Sequence, residues 1–154
     1  MENTDRVRIE EIIARFDIEG RPAEVRPYGN GHINDTFLLT YAMPEGGQKK
    51  YILQRINHSI FKKPYELMEN IVNVTGYLRE MILAYGGDPD RETLNVVKTR
   101  SQDSCYRDDN GCYWRIFLFI ERTVCLEKVE SEKDFYDSAV AFGNFQRLLA
   151  EYPA

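Results

Sequence analysis

The residue pattern predicts an α+β domain with an antiparallel sheet of five to six strands and a helix inserted among them. Three observations carry this. Extended runs fall into two groups, residues 23–56 and 94–121, each punctuated by Gly-, Asn- and Asp-bearing turns. Between the groups lies a sustained helical stripe of Leu67, Ile71, Val74, Leu78 and Met81, recurring every third or fourth residue. The whole order is helix, three strands, helix, two or three strands, helix, with no repeat, low-complexity tract or long linker.

Thr4 is the expected N-cap of the first helix, and Ile9, Ile12, Ile13 and Phe16 give it one apolar face before Gly20-Arg21-Pro22 ends it. Ala23 to Tyr28 and Thr36 to Tyr41 then read as strands around a glycine loop. Pro44-Glu45-Gly46-Gly47 is turn chemistry, because glycine reaches positive φ without steric cost. Lys50 to Ile56 is the third strand, with Ile52 and Gln54 on one face and Tyr51, Leu53 and Arg55 on the other. The long helix follows Pro64 and closes at Tyr85-Gly86-Gly87, and Leu94 to Thr99 is a short strand candidate. Ser104 to Arg107 and Cys112 to Glu121 make a hairpin over Asp108-Asp109-Asn110-Gly111. The run Tyr113 to Ile120 is almost wholly apolar, which predicts a central strand covered on both faces. The last helix spans about Ser131 to Tyr152, and Phe135, Ala139, Phe142, Phe145 and Leu149 mark its expected buried face.

A chain of 154 residues with 43% hydrophobic and 29% charged residues is the size and composition of one ordinary soluble domain. The net charge of −5 argues against nucleic acid as a partner, although Lys49, Lys50, Arg55, Lys62 and Lys63 form a local basic cluster. No apolar run has the length of a membrane span, and residues 1–11 are charged rather than signal-like. The expectation is a cytoplasmic protein without a membrane partner. The three cysteines, Cys105, Cys112 and Cys125, are too few and unevenly spaced for a disulfide framework, so reduced thiols are expected. His32 and His58 offer no metal-ligand spacing, and no metal site or catalytic residue is assigned.

The stretch Tyr28-Gly29-Asn30-Gly31-His32-Ile33-Asn34-Asp35-Thr36 carries the chemistry that the sequence offers. Glycines at 29 and 31 let backbone N–H groups approach a phosphate, and they equally suit a plain hairpin tip. His32 reads either as a phosphate contact or as a solvated loop histidine. Arg55 reads as the partner of a surface acid, Trp114 and the Phe117/Phe119 pair as core, and Asp108 and Asp109 as turn residues first.

More specific is the collinear set Tyr28-Gly29-x-Gly31-His32-Ile33-Asn34-x-Thr36, Tyr51-Ile52-Leu53-Gln54, Asn57-x-Ser59-Ile60-Phe61, Leu67-Met68-x-Asn70, Phe119-Ile120-Glu121-x-Thr123-Val124 and Ala141-Phe142-Gly143-x-Phe145-Gln146. Over almost the whole chain this set resembles the N-terminal lobe of the N-acetylhexosamine 1-kinases, within the aminoglycoside and choline kinase type of phosphotransferase. The resemblance implies a protein kinase-like nucleotide lobe over residues 1–125 and the first helix of a following lobe over 126–154. It implies ATP and Mg²⁺ as cofactors and an amino sugar, an N-acetylated hexosamine phosphorylated at its anomeric hydroxyl, as substrate. By the same resemblance Gly29, Asn30, Gly31, His32, Asn34 and Thr36 cover the phosphates. Ile52 lines the adenine pocket, Gln54 faces the phosphates, and Phe119, Ile120 and Glu121 form the hinge whose backbone meets adenine.

Two departures qualify those implications. The third strand of most kinases carries a lysine that pairs with phosphates and with a helix glutamate, whereas position 54 here is glutamine. Glutamine can donate a hydrogen bond but brings no charge, so Glu66 and Glu69 are assigned no ion pair. No His-Asn-Asp-x-Lys-x-x-Asn catalytic loop occurs in the 154 residues, so the expectation is a nucleotide lobe that is inactive by itself. A stand-alone ligand-binding module and an α+β interaction domain are the other classes that fit. The apolar face of the last helix, without further helices to cover it, also predicts self-association.

Overall fold

The computed structural model of the chain describes residues 3–29, 33–124 and 128–153. The observed elements are α1 (Asn3–Ile13), β1 (Arg21–Pro27), β2 (Asp35–Ala42), β3 (Gln48–Ile56), α2 (Pro64–Ala84), α3 (Pro89–Glu92), β4 (Val96–Val97), β5 (Tyr106–Arg107), β6 (Tyr113–Leu118) and α4 (Glu132–Leu148). The expected α+β class is observed, with an open six-stranded antiparallel sheet in the order β1-β2-β3-β6-β4 and β5 pairing with β6. Contacts divide the chain into two compact units. One holds the chain up to Val72 with Leu94–Phe119, and the other holds Asn73–Thr93 with the chain from Ile120 onward.

In the first unit the sheet separates two packed layers. Alternation sends Leu39, Tyr41, Tyr51, Leu53, Trp114 and Ile116 to one face, where they bury Ile9, Ile12, Ile13 and Phe16 from α1 and the turn after it. The opposite face carries Ile56, which packs with Met68 of α2 and with Cys105. β6 is central, as its apolar run predicts, with β3 on one side and β4 and β5 on the other. The edge strand β1 tolerates Pro22 because its outer N–H row has no neighbour, and the register slips between Pro22 and Glu24.

Several boundaries differ from expectation. Thr4 lies inside α1 and does not cap it. The helix also stops at Ile13, well before Gly20, because a long-range pairing competes for the backbone. Phe16 bridges to Thr99, the Asp17 N–H donates to the Lys98 carbonyl at 2.9 Å, and Arg100 donates from N–H and Nε to the carbonyls of Arg15 and Ala14. That same pairing limits the expected 94–99 strand to Val96–Val97.

In the second unit Leu78 and Ile82 from α2 pack with Leu148. The most buried positions of α2 are thus Met68, Leu78 and Ile82, close to the predicted stripe but shifted by one residue at Met68 and Ile82. Ser131, the expected start of α4, is its N-cap, its hydroxyl accepting from the Asp134 N–H at 3.1 Å, and the helix ends at Leu148 rather than Tyr152. The predicted buried face of α4 is not buried: Phe135 is 67% exposed, Phe142 62% and Phe145 45%, while Leu148 is the residue that is enclosed. A helical stripe shows which residues share a side, not whether anything covers that side.

Candidate functional site

The face of the sheet opposite α1 is built by a simple register. Thr36 lies across from Gln54, and Gln54 from Arg115; the next row is Leu38, Ile52 and Phe117. Because side chains two apart on a strand share a face, both rows point the same way. The first row lies at the end of the sheet nearest the glycine loop, since β2 leaves that loop at Asp35.

Hydrogen bonds tie the first row together. The Arg115 Nε donates to Gln54 Oε1 at 3.1 Å, and Gln54 Nε2 donates to Thr36 Oγ1 at 3.2 Å. Thr36 Oγ1 in turn donates to the Asn34 carbonyl at 3.4 Å. The arginine fixes which end of the Gln54 amide is oxygen, since a guanidinium has no acceptor. One N–H of that amide therefore remains for another acceptor. Arg115 Nη1 reaches Met68 Sδ of α2 at 3.7 Å, and the guanidinium carbon lies 5.0 Å from the Phe117 ring centre. Burial pushes the Arg115 guanidinium below its ordinary pKa, with the nearby Cys105 thiol acting weakly the other way.

Over this face the Tyr28 and Phe119 rings meet edge-on, 5.7 Å between centres, with the Tyr28 N–H bonded to the Thr36 carbonyl at the glycine-loop end and the Phe119 N–H to the Lys50 carbonyl at the other. Their strands are separated by β2 and β3, about 14 Å at ordinary strand spacing. Two rings reach across that span only if the sheet curls towards this side. Arg26, opposite Leu38, places its guanidinium carbon 5.7 Å from the Tyr28 ring and adds a second cation to the face.

The expected site residues divide as follows. Thr36, Ile52 and Gln54 are brought together on one face. Gly29 has a φ of 78°, the left-handed conformation that favours glycine, and a Cβ there would meet nothing within 4 Å. Asn34 is a structural tie, its Oδ1 accepting from the Asn57 N–H at 2.9 Å. Asn30, Gly31 and His32 lie outside the described residues, as does Cys125. Phe119 closes the pair with Tyr28 in the first unit. Ile120 and Glu121 fall in the second unit, where their carbonyls accept from Thr123 Oγ1 at 3.4 Å and from Arg91 Nη1 at 2.8 Å.

Arg115 and Met68 were not legible as site residues. Arg115 is the single charged residue in the run Tyr113 to Ile120, and that exception was the available signal. The other weighed residues follow their simpler readings. Arg55 pairs with Asp35 on the α1 side, Glu66 pairs with Lys63 at 2.9 Å, and Trp114 and Phe117 are buried.

Among the described residues of the first unit, two cavities bear on the site. The larger, about 620 Å³, lies between α1 and the turn after β5, lined by Arg8, Arg15, Tyr106 and Asp108 among others. Its two cations are engaged within it: Arg8 pairs with Asp108 at 2.7 Å, and Arg15 stacks over Tyr106. The smaller, about 360 Å³, lies beside the glycine-loop end of β2 and β3, with Ile33, Asp35, Arg55 and His58 in its wall. Neither cavity includes the hydrogen-bonded row of Thr36, Gln54 and Arg115.

Among the described residues no group of three or more His, Cys, Asp or Glu side chains could hold a metal ion. Among the same residues no helix is long and apolar enough to cross a membrane. No protein-family model matches this chain.

Proposed function

We propose that the curled face of the sheet binds a purine nucleotide, and that the chain is the kinase-like nucleotide lobe of a sugar kinase acting on the anomeric hydroxyl of an N-acetylhexosamine. The observation that supports this most directly is the juxtaposition of an apolar row, in which Ile52 is part-exposed between buried Leu38 and Phe117, with a polar row, Thr36, Gln54 and Arg115. A flat base is suited to the first row and a polyphosphate to the second. The insertion of α2 between β3 and β4 is compatible with the same lobe, as is the glycine loop that leads into β2.

ATP fits these residues through the spare N–H of Gln54 and the guanidinium of Arg115. Mg²⁺ finds no ligand set among the described residues, and the reading assigns the ion to none of them. Gln54 and Thr36 orient the phosphate chain, while part-exposed Ile52, backed by buried Leu38, meets the base. A nucleotide-dependent kinase of this kind works in the cytoplasm, where ATP is available.

Titration with adenosine and with Mg-ATP, followed by amide and side-chain resonances, tests the reading. Shifts should centre on Ile52 and Gln54, with affinity no tighter than high micromolar to millimolar, about −4 to −6 kcal/mol. No saturable shift at millimolar nucleotide would overturn it. A coupled ADP-release assay with N-acetylglucosamine or N-acetylgalactosamine should read background, since the 154 residues contain no catalytic-loop motif. Covalently extending the chain with a lobe that carries that motif should produce a sugar 1-phosphate.

A further inference from the structure

We infer that Arg115 is the anion-binding residue of the curled face, bringing to phosphate oxygens the positive charge that Gln54 lacks. The inference rests on the nucleotide reading for the identity of the anion, but its physical basis is separate.

A half-buried cation normally has a carboxylate beside it, because desolvating an unpaired charge is costly. Arg115 has none among the described residues. Its bonds go to the neutral amide of Gln54 and to the thioether of Met68, a weak acceptor, and its flat side lies by Phe117. The α2 residue that faces it is Met68, while neighbouring Glu66 is occupied with Lys63 and Glu69 is exposed. Along β1, β2, β3 and β6 the register brings one acid to this face, Glu24 opposite Thr40. Thr40 is four residues along β2 from the Arg115 row, about 13 Å at ordinary strand rise. No buried side-chain nitrogen or oxygen among the described residues is left without a partner, so Nη2 of part-buried Arg115 is not fully enclosed. The side chain is therefore anchored at Nε and Nη1, which leaves Nη2 as its uncommitted donor, in the same row as the spare N–H of Gln54.

That arrangement is a preorganised donor pair. A guanidinium and an amide on adjacent strands lie about 5 Å apart at the backbone, a spacing that lets both reach oxygens of one phosphate group. Met68 is also informative. A carboxylate there would neutralise the arginine internally, whereas a thioether supports it without competing for its charge.

The 154-residue chain and its Arg115→Met and Arg115→Lys variants are titrated with sodium tripolyphosphate, ATP and adenosine. In the unaltered protein the Arg115 Nε–Hε resonance should shift saturably with tripolyphosphate and ATP and stay still with adenosine. Arg115→Met should lose affinity for both phosphate probes by about tenfold or more, the loss expected for a charge-assisted hydrogen bond, and keep adenosine binding. Arg115→Lys should fall between, because it keeps the charge and loses the fork. If Arg115→Met does not fold, the resonance and the lysine variant decide. ATP and adenosine binding without movement of the Arg115 resonance, or with full affinity in the variants, overturns the inference and leaves the nucleotide reading standing. Tripolyphosphate binding through Arg115 without adenosine binding sustains the inference and overturns the nucleotide reading. Binding of neither overturns both.

Discussion

Removing the carboxylate of Asp108 should destabilise the first unit by about 3 kcal/mol, and the sum can be followed bond by bond. Asp108 Oδ2 accepts from Trp114 Nε1 at 2.9 Å and from Arg8 Nη2 at 2.7 Å, while Oδ1 accepts from the N–H groups of Asn110 and Cys112 at 3.0 and 2.9 Å. Trp114 is 4% exposed, so in Asp108→Ala its indole N–H is left buried and unpaired, at a cost of about 1–3 kcal/mol. The Cys112 N–H, partly buried, adds about 1 kcal/mol. Arg8 contributes little, because its side chain is 39% exposed and water replaces the lost partner. Trp114 is the single tryptophan, so urea unfolding followed by its fluorescence reads this site directly. A loss of about 3 kcal/mol corresponds to a fall of about 6–12 °C in melting temperature for a chain of this length. Asp108→Asn should cost less, since it keeps an acceptor for one pair of donors. The pH dependence carries a sign as well. Burial alone would raise the Asp108 pKa, but the bonds from Trp114, Arg8 and the Cys112 N–H outweigh it and hold the carboxyl below its ordinary value. Its contribution is then full above the unfolded aspartate pKa and disappears as pH falls through the lower folded value. The protein and Asp108→Asn should therefore converge in stability only in acid. An Asp108→Ala protein within about 0.5 kcal/mol of the parent at neutral pH would refute the reasoning.

Three further outcomes are expected. Gly20→Ala should destabilise by about 1–3 kcal/mol, because Gly20 has a φ of 91° and a Cβ there would lie 2.6 Å from the Ala42 carbonyl oxygen; an unchanged urea midpoint counts against it. Cys105 should react with an aromatic disulfide reagent only on unfolding, since burial, aided by Asp103, pushes its thiol up to about 11, and labelling identified by mass spectrometry should find Cys112 modified before Cys105. The aromatic face of α4, with Phe135, Tyr136 and Phe142 exposed, should drive self-association, and light scattering that gives the monomer mass at every accessible concentration would exclude it.

What the sequence revealed, and what it concealed, follows from the range of the interactions. The strands β2 and β3 were legible because alternation and a glycine turn are local properties. The face assignment of Ile52 and Gln54 followed from the same alternation. The early end of α1 was not legible, since it depends on hydrogen bonds to Lys98 and Arg100, far away in the chain. Exposure of Phe135, Phe142 and Phe145 was equally hidden, because periodicity defines a side and says nothing of its cover. Asp108 was read correctly as a turn residue, but its reach to Trp114 and Arg8 required the packed α1 layer. Arg115 was masked by its setting in an apolar run, where a lone charge looks like an interruption.

On the proposed reading, the pairing of Gln54 with Arg115 would give the row a positive charge for phosphate without a lysine on β3. A charge on β3 and a charge at the facing position of β6 occupy neighbouring points of one row, so the electrostatic requirement belongs to the row rather than to either strand. Arginine is the residue that suits the transposed position. Its fork can hold Gln54 with Nε, rest on Met68 with Nη1 and still leave Nη2 for a ligand, whereas a lysine ammonium is a single point on a flexible stem. Glutamine is also the better neighbour for it. A lysine at 54 would set two cations side by side, raising the cost of burying both, while the amide accepts from the guanidinium and returns a donor to the groove. Under the proposed function, glutamine at 54 is thus compatible with a division of labour: orientation on β3 and charge on β6.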